Sequence, residues 1–204
     1  VDEGLIPYIN LLAGIMGNID TKTYSYSDLS NEIYVNTGGI DFSANAFTEK
    51  DNDEIYYPKF IVKGKAIGDN IVSLMKLINI LLTESKIEDK KRIKELMQQM
   101  KSRIEMSIFS MGHSVASRRV GSYFSSSRKY TEKLSGLDFY WFISNVLEGF
   151  DNNSEEIMSN LNKVYNKIFN INNLIVSFTG DKKDFAFVKD NLKIVTDNLN
   201  TKKL

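Results

Sequence analysis

The sequence predicts an α+β fold, with about seven helices covering an antiparallel sheet of about three strands. Three observations predict it. Apolar residues recur at three- and four-residue spacing along most of the chain. Residues 40–47 and 56–66 alternate instead, and residues 174–178 form a compact apolar run.

Leu5, Ile9, Leu12 and Met16 share one face of a first helix that ends near Gly17, and Pro7 fits because it falls within the first turn. A second helix is expected from Ser27 or Asp28, either of which can cap it, through Leu29 and Ile33 to the Thr37-Gly38-Gly39 stop. In the strand over 40–47, Ile40, Phe42, Ala44 and Ala46 point to one side while Asp41, Ser43 and Asn45 point to the other. The polar turn over 49–54 leads into the strand over 56–66, where Phe60 and Val62 face away from Lys63 and Lys65.

Asp69 is the expected cap of a helix striped by Ile71, Leu74, Met75, Ile78 and Leu82. Ser85 and Glu88 have capping-box spacing, so a new helix is expected there. Its stripe, Ile93, Leu96, Met97, Met100, Ile104, Ile108, Met111 and Val115, lasts about seven turns. After a polar stretch at Ser125-Ser126-Ser127-Arg128 come a short aromatic helix over 139–143 and a helix capped by Ser154. The run 174–178 is expected to be a third strand, and Gly180-Asp181 to lead into a last helix carrying Phe185, Val188, Leu192, Val195 and Leu199. Three strands give these stripes little sheet to cover, so the sheet is expected to be incomplete. Val1, with no polar lead-in, reads as the start of a piece of a longer polypeptide, and residues 1–204 as a single domain of it.

Composition narrows the function. The 204 residues carry 26 basic and 26 acidic side chains, so no net field favours nucleic acid or an anionic membrane, and neither is expected as a partner. The absence of cysteine excludes disulfides, thiol catalysis and cysteine-ligated metals. One histidine, His113, excludes any metal site needing two from this chain. Lack of cysteine and of a targeting pattern leads to an expected cytoplasmic location.

His113 has only Ser110, Ser114 and Ser117 nearby in sequence and no orienting carboxylate, so it reads as a structural or surface histidine. The basic run 90–94 reads as a solvated helix face, Thr37-Gly38-Gly39 as a helix stop, and 49–54 as a hairpin tip lacking calcium-loop spacing. Tyr140, Trp141 and Phe142 suit either core packing or the lining of a cavity.

Four strings and their order carry a resemblance. They are Tyr26-Ser27-Asp28-Leu29-Ser30-Asn31-Glu32-Ile33 leading to Thr37-Gly38-Gly39-Ile40, Gly112-His113-Ser114-Val115-Ala116-Ser117-Arg118, Ser122-Tyr123-Phe124-Ser125, and Leu134-Ser135-Gly136-Leu137-Asp138-Phe139-Tyr140. With them, nearly the whole chain resembles the third, associated domain of the presequence-protease and falcilysin branch of the pitrilysin/insulinase zinc metallopeptidases.

The resemblance implies a pitrilysin-like domain of a four-domain enzyme that closes around an unstructured peptide. It places the Zn2+ in the first domain, on an inverted His-x-x-Glu-His motif that this sequence lacks. The transition-state Arg and Tyr are expected in the fourth domain. No catalytic, cofactor-binding or metal-binding residue is therefore carried onto this chain, which is expected to be non-catalytic and to help form the substrate chamber.

Arg118, Tyr123 and the β-strand face of Asp41, Ser43 and Asn45 are the candidates for touching substrate or the other domains. The incomplete sheet is expected to be finished by another segment or domain of the same protein, or by a homo-oligomer formed through an exposed strand edge. The alternative is a catalytically inactive peptidase-like scaffold or protein-interaction module.

Overall fold

The fold is described from a computed structural model over residues 2–202, with the side chain of Asp53 outside the description. The expected domain limits, Val1 and Leu204, lie outside the described residues. Along the chain run α1 (Ile6–Ile15), α2 (Tyr26–Asn36), β1 (Ile40–Glu49), β2 (Asn52–Gly64), α3 (Ile71–Glu84), α4 (Lys90–Ser110), α5 (Gly112–Gly121), α6 (Ser126–Ser135), α7 (Leu137–Glu148), α8 (Phe150–Ile168), α9 (Lys182–Asn191) and α10 (Lys193–Thr196). The class is α+β, as expected. Among the described residues its sheet is the β1–β2 pair, made antiparallel by the two-residue turn Lys50-Asp51.

Contacts divide the chain into two compact units. The first holds residues 2–15, Phe42–Ile61 and Ile87–Val164. Its centre is α1, which buries Ile6, Tyr8, Ile9, Leu11, Leu12 and Ile15, more than one face of a helix. Around it lie Ile93, Leu96 and Met97 of α4, Leu134 of α6, Phe139 and Ile143 of α7, and Ile157, Leu161 and Val164 of α8. Gly14 lets α1 approach α4: a Cβ built there would lie 2.5 Å from the Met100 sulfur.

The second unit holds Met16–Asp41, Val62–Lys86 and residues 165–202. Here α3 is central, burying Ile71, Met75, Leu77, Leu81 and Leu82, with α2, α9 and α10 beside it. Gly17, with φ of 77°, ends the path of α1, as the sequence implies. The Thr21–Ser85 bridge, with Lys22 N–H donating to Glu84 O at 3.1 Å and Lys86 N–H to Asp20 O at 2.8 Å, ties the ends of two helical connections.

Several boundaries differ from those expected. The third strand is absent: residues 174–178 have no ladder partner among the described residues, and β propensity without a partner makes no strand. The cap of α2 is Ser25, whose Oγ accepts from Asp28 N–H at 3.2 Å, rather than Ser27 or Asp28. Asp69 falls inside a short 3-10 turn, Gly68–Asn70, and caps nothing. Ser85 closes α3 by donating to Leu81 O at 2.7 Å, while Asp89 caps α4 by accepting from Arg92 N–H at 2.9 Å.

The long helix breaks at Met111, where Ser110 Oγ donates back to Met106 O at 2.9 Å and Gly112 follows. The polar stretch at 125–128 opens α6, capped by Ser125. Ser154 lies within α8, which begins at Phe150. Finally, the last helix is interrupted at Leu192.

Candidate functional site

The burial of β1 alternates along its length, and Asp41, Ser43 and Asn45 are all exposed, which is the face expected. Arg118 and Tyr123 belong to α5 and the turn after it. Arg118 is exposed, donating from Nη1 to Ser135 O at 3.4 Å. Tyr123 is 72% exposed and its ring lies 5.6 Å from the Arg119 guanidinium.

Arg119, which no sequence pattern singles out, organises this region. Its Nη1 donates to Asp138 Oδ1 at 2.7 Å and to Glu132 Oε1 at 3.4 Å, while the Trp141 ring also sits 5.5 Å from the guanidinium. The hydrogen bond to Asp138 holds its pKa above the usual arginine value. The Glu132 side chain is 2% exposed, and Oε1 also accepts from Leu137 N–H at 3.0 Å. One arginine and one buried glutamate thus tie α5, α6 and α7 together. No periodicity rule finds this network, because Glu132 and Asp138 flank a helix break; the Gly136 between them was the one visible signal.

The aromatic group divides. Phe142 packs on Tyr8 with ring centroids 4.9 Å apart, and Tyr140 Oη donates to Glu105 Oε1 at 3.0 Å. Trp141 is half exposed beside Arg119. The basic run 90–94 is more than a solvated face, since Lys90 pairs with Glu155 and Lys94 with Asp151 at 2.6 Å, both on α8. At the hairpin tip Asn52 Oδ1 accepts from Glu54 N–H at 3.1 Å, and Glu54 Oε2 accepts from Ser126 Oγ at 2.9 Å.

His113, Ser114, Ser117, Arg118 and Arg128 line one shallow groove. An imidazole, two hydroxyls and two guanidiniums do not make a zinc donor set, which needs several imidazoles, carboxylates or thiolates. Among the described residues no three His, Cys, Asp or Glu side chains gather to hold a metal ion. No helix there is long and apolar enough to cross a membrane.

The chain belongs to the family described as Peptidase M16C associated, which matches residues 1–146. It is 32% identical to Protein HypA of Clostridium perfringens, over 98% of this chain and 20% of that protein. Presequence protease 1, chloroplastic/mitochondrial, of Arabidopsis thaliana is 27% identical over 91% of this chain and 17% of its own length. The mitochondrial presequence protease of Saccharomyces cerevisiae is 24% identical over 87% and 18%. The chain spans about a fifth of the length of these curated relatives. The expected presequence-protease relationship is therefore met.

Proposed function

We propose that residues 1–204 act as one non-catalytic domain of a zinc-dependent peptidase that degrades oligopeptides, forming part of the wall around its substrate chamber. One observation carries the proposal: 91% of this chain matches 17% of the Arabidopsis thaliana presequence protease, within a family described as Peptidase M16C associated. The zinc and the groups that react with the peptide would then come from other domains of the same protein, with which this chain works as a partner.

Support comes also from the surface, where Met106, Phe109 and Met111 near the end of α4 and Val120, Tyr123 and Phe124 near the end of α5 are exposed. Apolar side chains gathered at helix ends suit contact with another domain or with an extended peptide. The test is to combine this chain with the remaining, catalytic portion of the protein and assay an unstructured peptide with and without chelator. Cleavage that needs both parts and is abolished by chelator is expected. Cleavage by this chain alone, or full activity of the catalytic portion without it, overturns the proposal.

A further inference from the structure

The α5–α6 groove holds two guanidiniums that the ion-pair network leaves out. Arg119 is matched by Asp138 and Glu132, whereas among the described residues neither Arg118 nor Arg128 has a carboxylate oxygen within 4.0 Å. The two share their groove with His113, Ser114 and Ser117, so every polar side chain lining it can donate a hydrogen bond and none is acidic. The chain as a whole balances 26 cations with 26 anions, which makes this concentration of unmatched donors a local feature.

The groove is also shaped for its arginines. A Cβ at Gly121 would lie 2.6 Å from Arg128 Nη1 and 3.0 Å from Arg128 Cδ, so the glycine gives the side chain room to lie across α5. Arg118 Nη1 donates to Ser135 O at 3.4 Å. Two guanidiniums flanked by hydroxyls present planar donor forks, which match the two oxygens of a carboxylate.

We infer that this groove binds a carboxylate of the peptide substrate, either its C-terminal group or an Asp or Glu side chain. The choice of a peptide as the anion's carrier rests on the function proposed above; the anion site itself rests on the groove. Exposed charge pairs are individually weak and screened by salt, so affinity on the order of millimolar that falls with ionic strength is expected.

The experiment follows backbone amide NMR shifts of the 204-residue chain on titration with three short peptides of the same neutral sequence. One has a free C-terminal carboxylate, one is amidated with an internal Glu, and one is amidated with no acid. Either acid-bearing peptide is expected to shift the amides around His113, Ser117 and Arg128, and the fully neutral one to leave them in place. Arg118→Gln and Arg128→Gln should each weaken binding several-fold, and the Lys replacements should restore part of it. Lys91→Gln, which removes an exposed charge on α4, should change nothing at the groove, and far-UV circular dichroism should show every variant folded.

Equal binding of the neutral peptide, binding of inorganic phosphate with none of either carboxylate, or indifference to both Gln variants overturns the assignment. Because these titrations need no peptidase, a positive result beside failed peptide cleavage would sink the enzyme reading and keep the anion site. A negative result beside successful cleavage would do the reverse.

Discussion

Glu132 is the residue on which most local order converges. Its Oε1 accepts from both Arg119 and Leu137 N–H, and its Oε2 lies buried against Gly136 with no hydrogen-bond partner among the described residues. Glu132→Ala should lower unfolding stability by about 2–3 kcal/mol, since it strands a part-buried amide and removes one acceptor of a charged donor. Urea unfolding with an unchanged m-value would measure it. A loss within experimental error of zero would mean the network does not hold the helices.

Tyr165 supplies a pH-dependent counterpart. Burial pushes its phenol up to about 12, and its Oη donates to Leu82 O at 2.6 Å. The folded state therefore holds this proton more tightly than the unfolded chain does, near 10. Its stabilising contribution is complete below pH 10 and is lost as pH rises toward about 12. Tyr165→Phe should lack that particular loss, as read from denaturant midpoints across this window. Neither residue announces itself in the sequence, where both look like ordinary members of polar helix stretches. Their roles arise from groups brought near by folding, five residues along the chain for Leu137 and 83 for Leu82.

At the scale of elements, periodicity was the legible part. The stripe of the first helix, the alternation of β1 and the apolar face of α8 all follow from spacing, because burial repeats with the backbone. Helix ends were less legible: Ser85 carries capping-box chemistry yet closes a helix, since its hydroxyl finds Leu81 O before any downstream amide. Residues 174–178 have strand composition, but a ladder needs a second strand and the sequence does not say where that lies. Among the candidate residues, the exposed face of Asp41, Ser43 and Asn45 was legible from alternation, whereas Arg119 depended on contacts between separate helices.

Gly14 of α1 and Met100 of α4 meet where the two helices cross. Gly14→Leu should cost about 1–3 kcal/mol through overpacking against Met100, and Met100→Ala in the same chain should recover part of that loss. A double-mutant cycle on thermal or urea unfolding checks it, and additive effects would show that the two side chains do not meet.

At the scale of the molecule, the surface carries apolar side chains that the core does not need. Phe109 is 91% exposed and Phe124 81% exposed, so replacing both with Ser should change stability by no more than about 0.5 kcal/mol. The same change should reduce binding of a fluorescent apolar dye, and should weaken assembly with other domains of the same protein if these residues face them. Unchanged assembly would move the interface elsewhere.

The proposed division of labour has this chain take part in peptide hydrolysis without performing it. It is tested most directly by measuring metal content and peptidase turnover of the purified 204-residue chain after zinc loading and removal of free ion. The predicted result is less than stoichiometric zinc and no cleavage of an unstructured peptide. One zinc per chain with chelator-sensitive cleavage would contradict the claim.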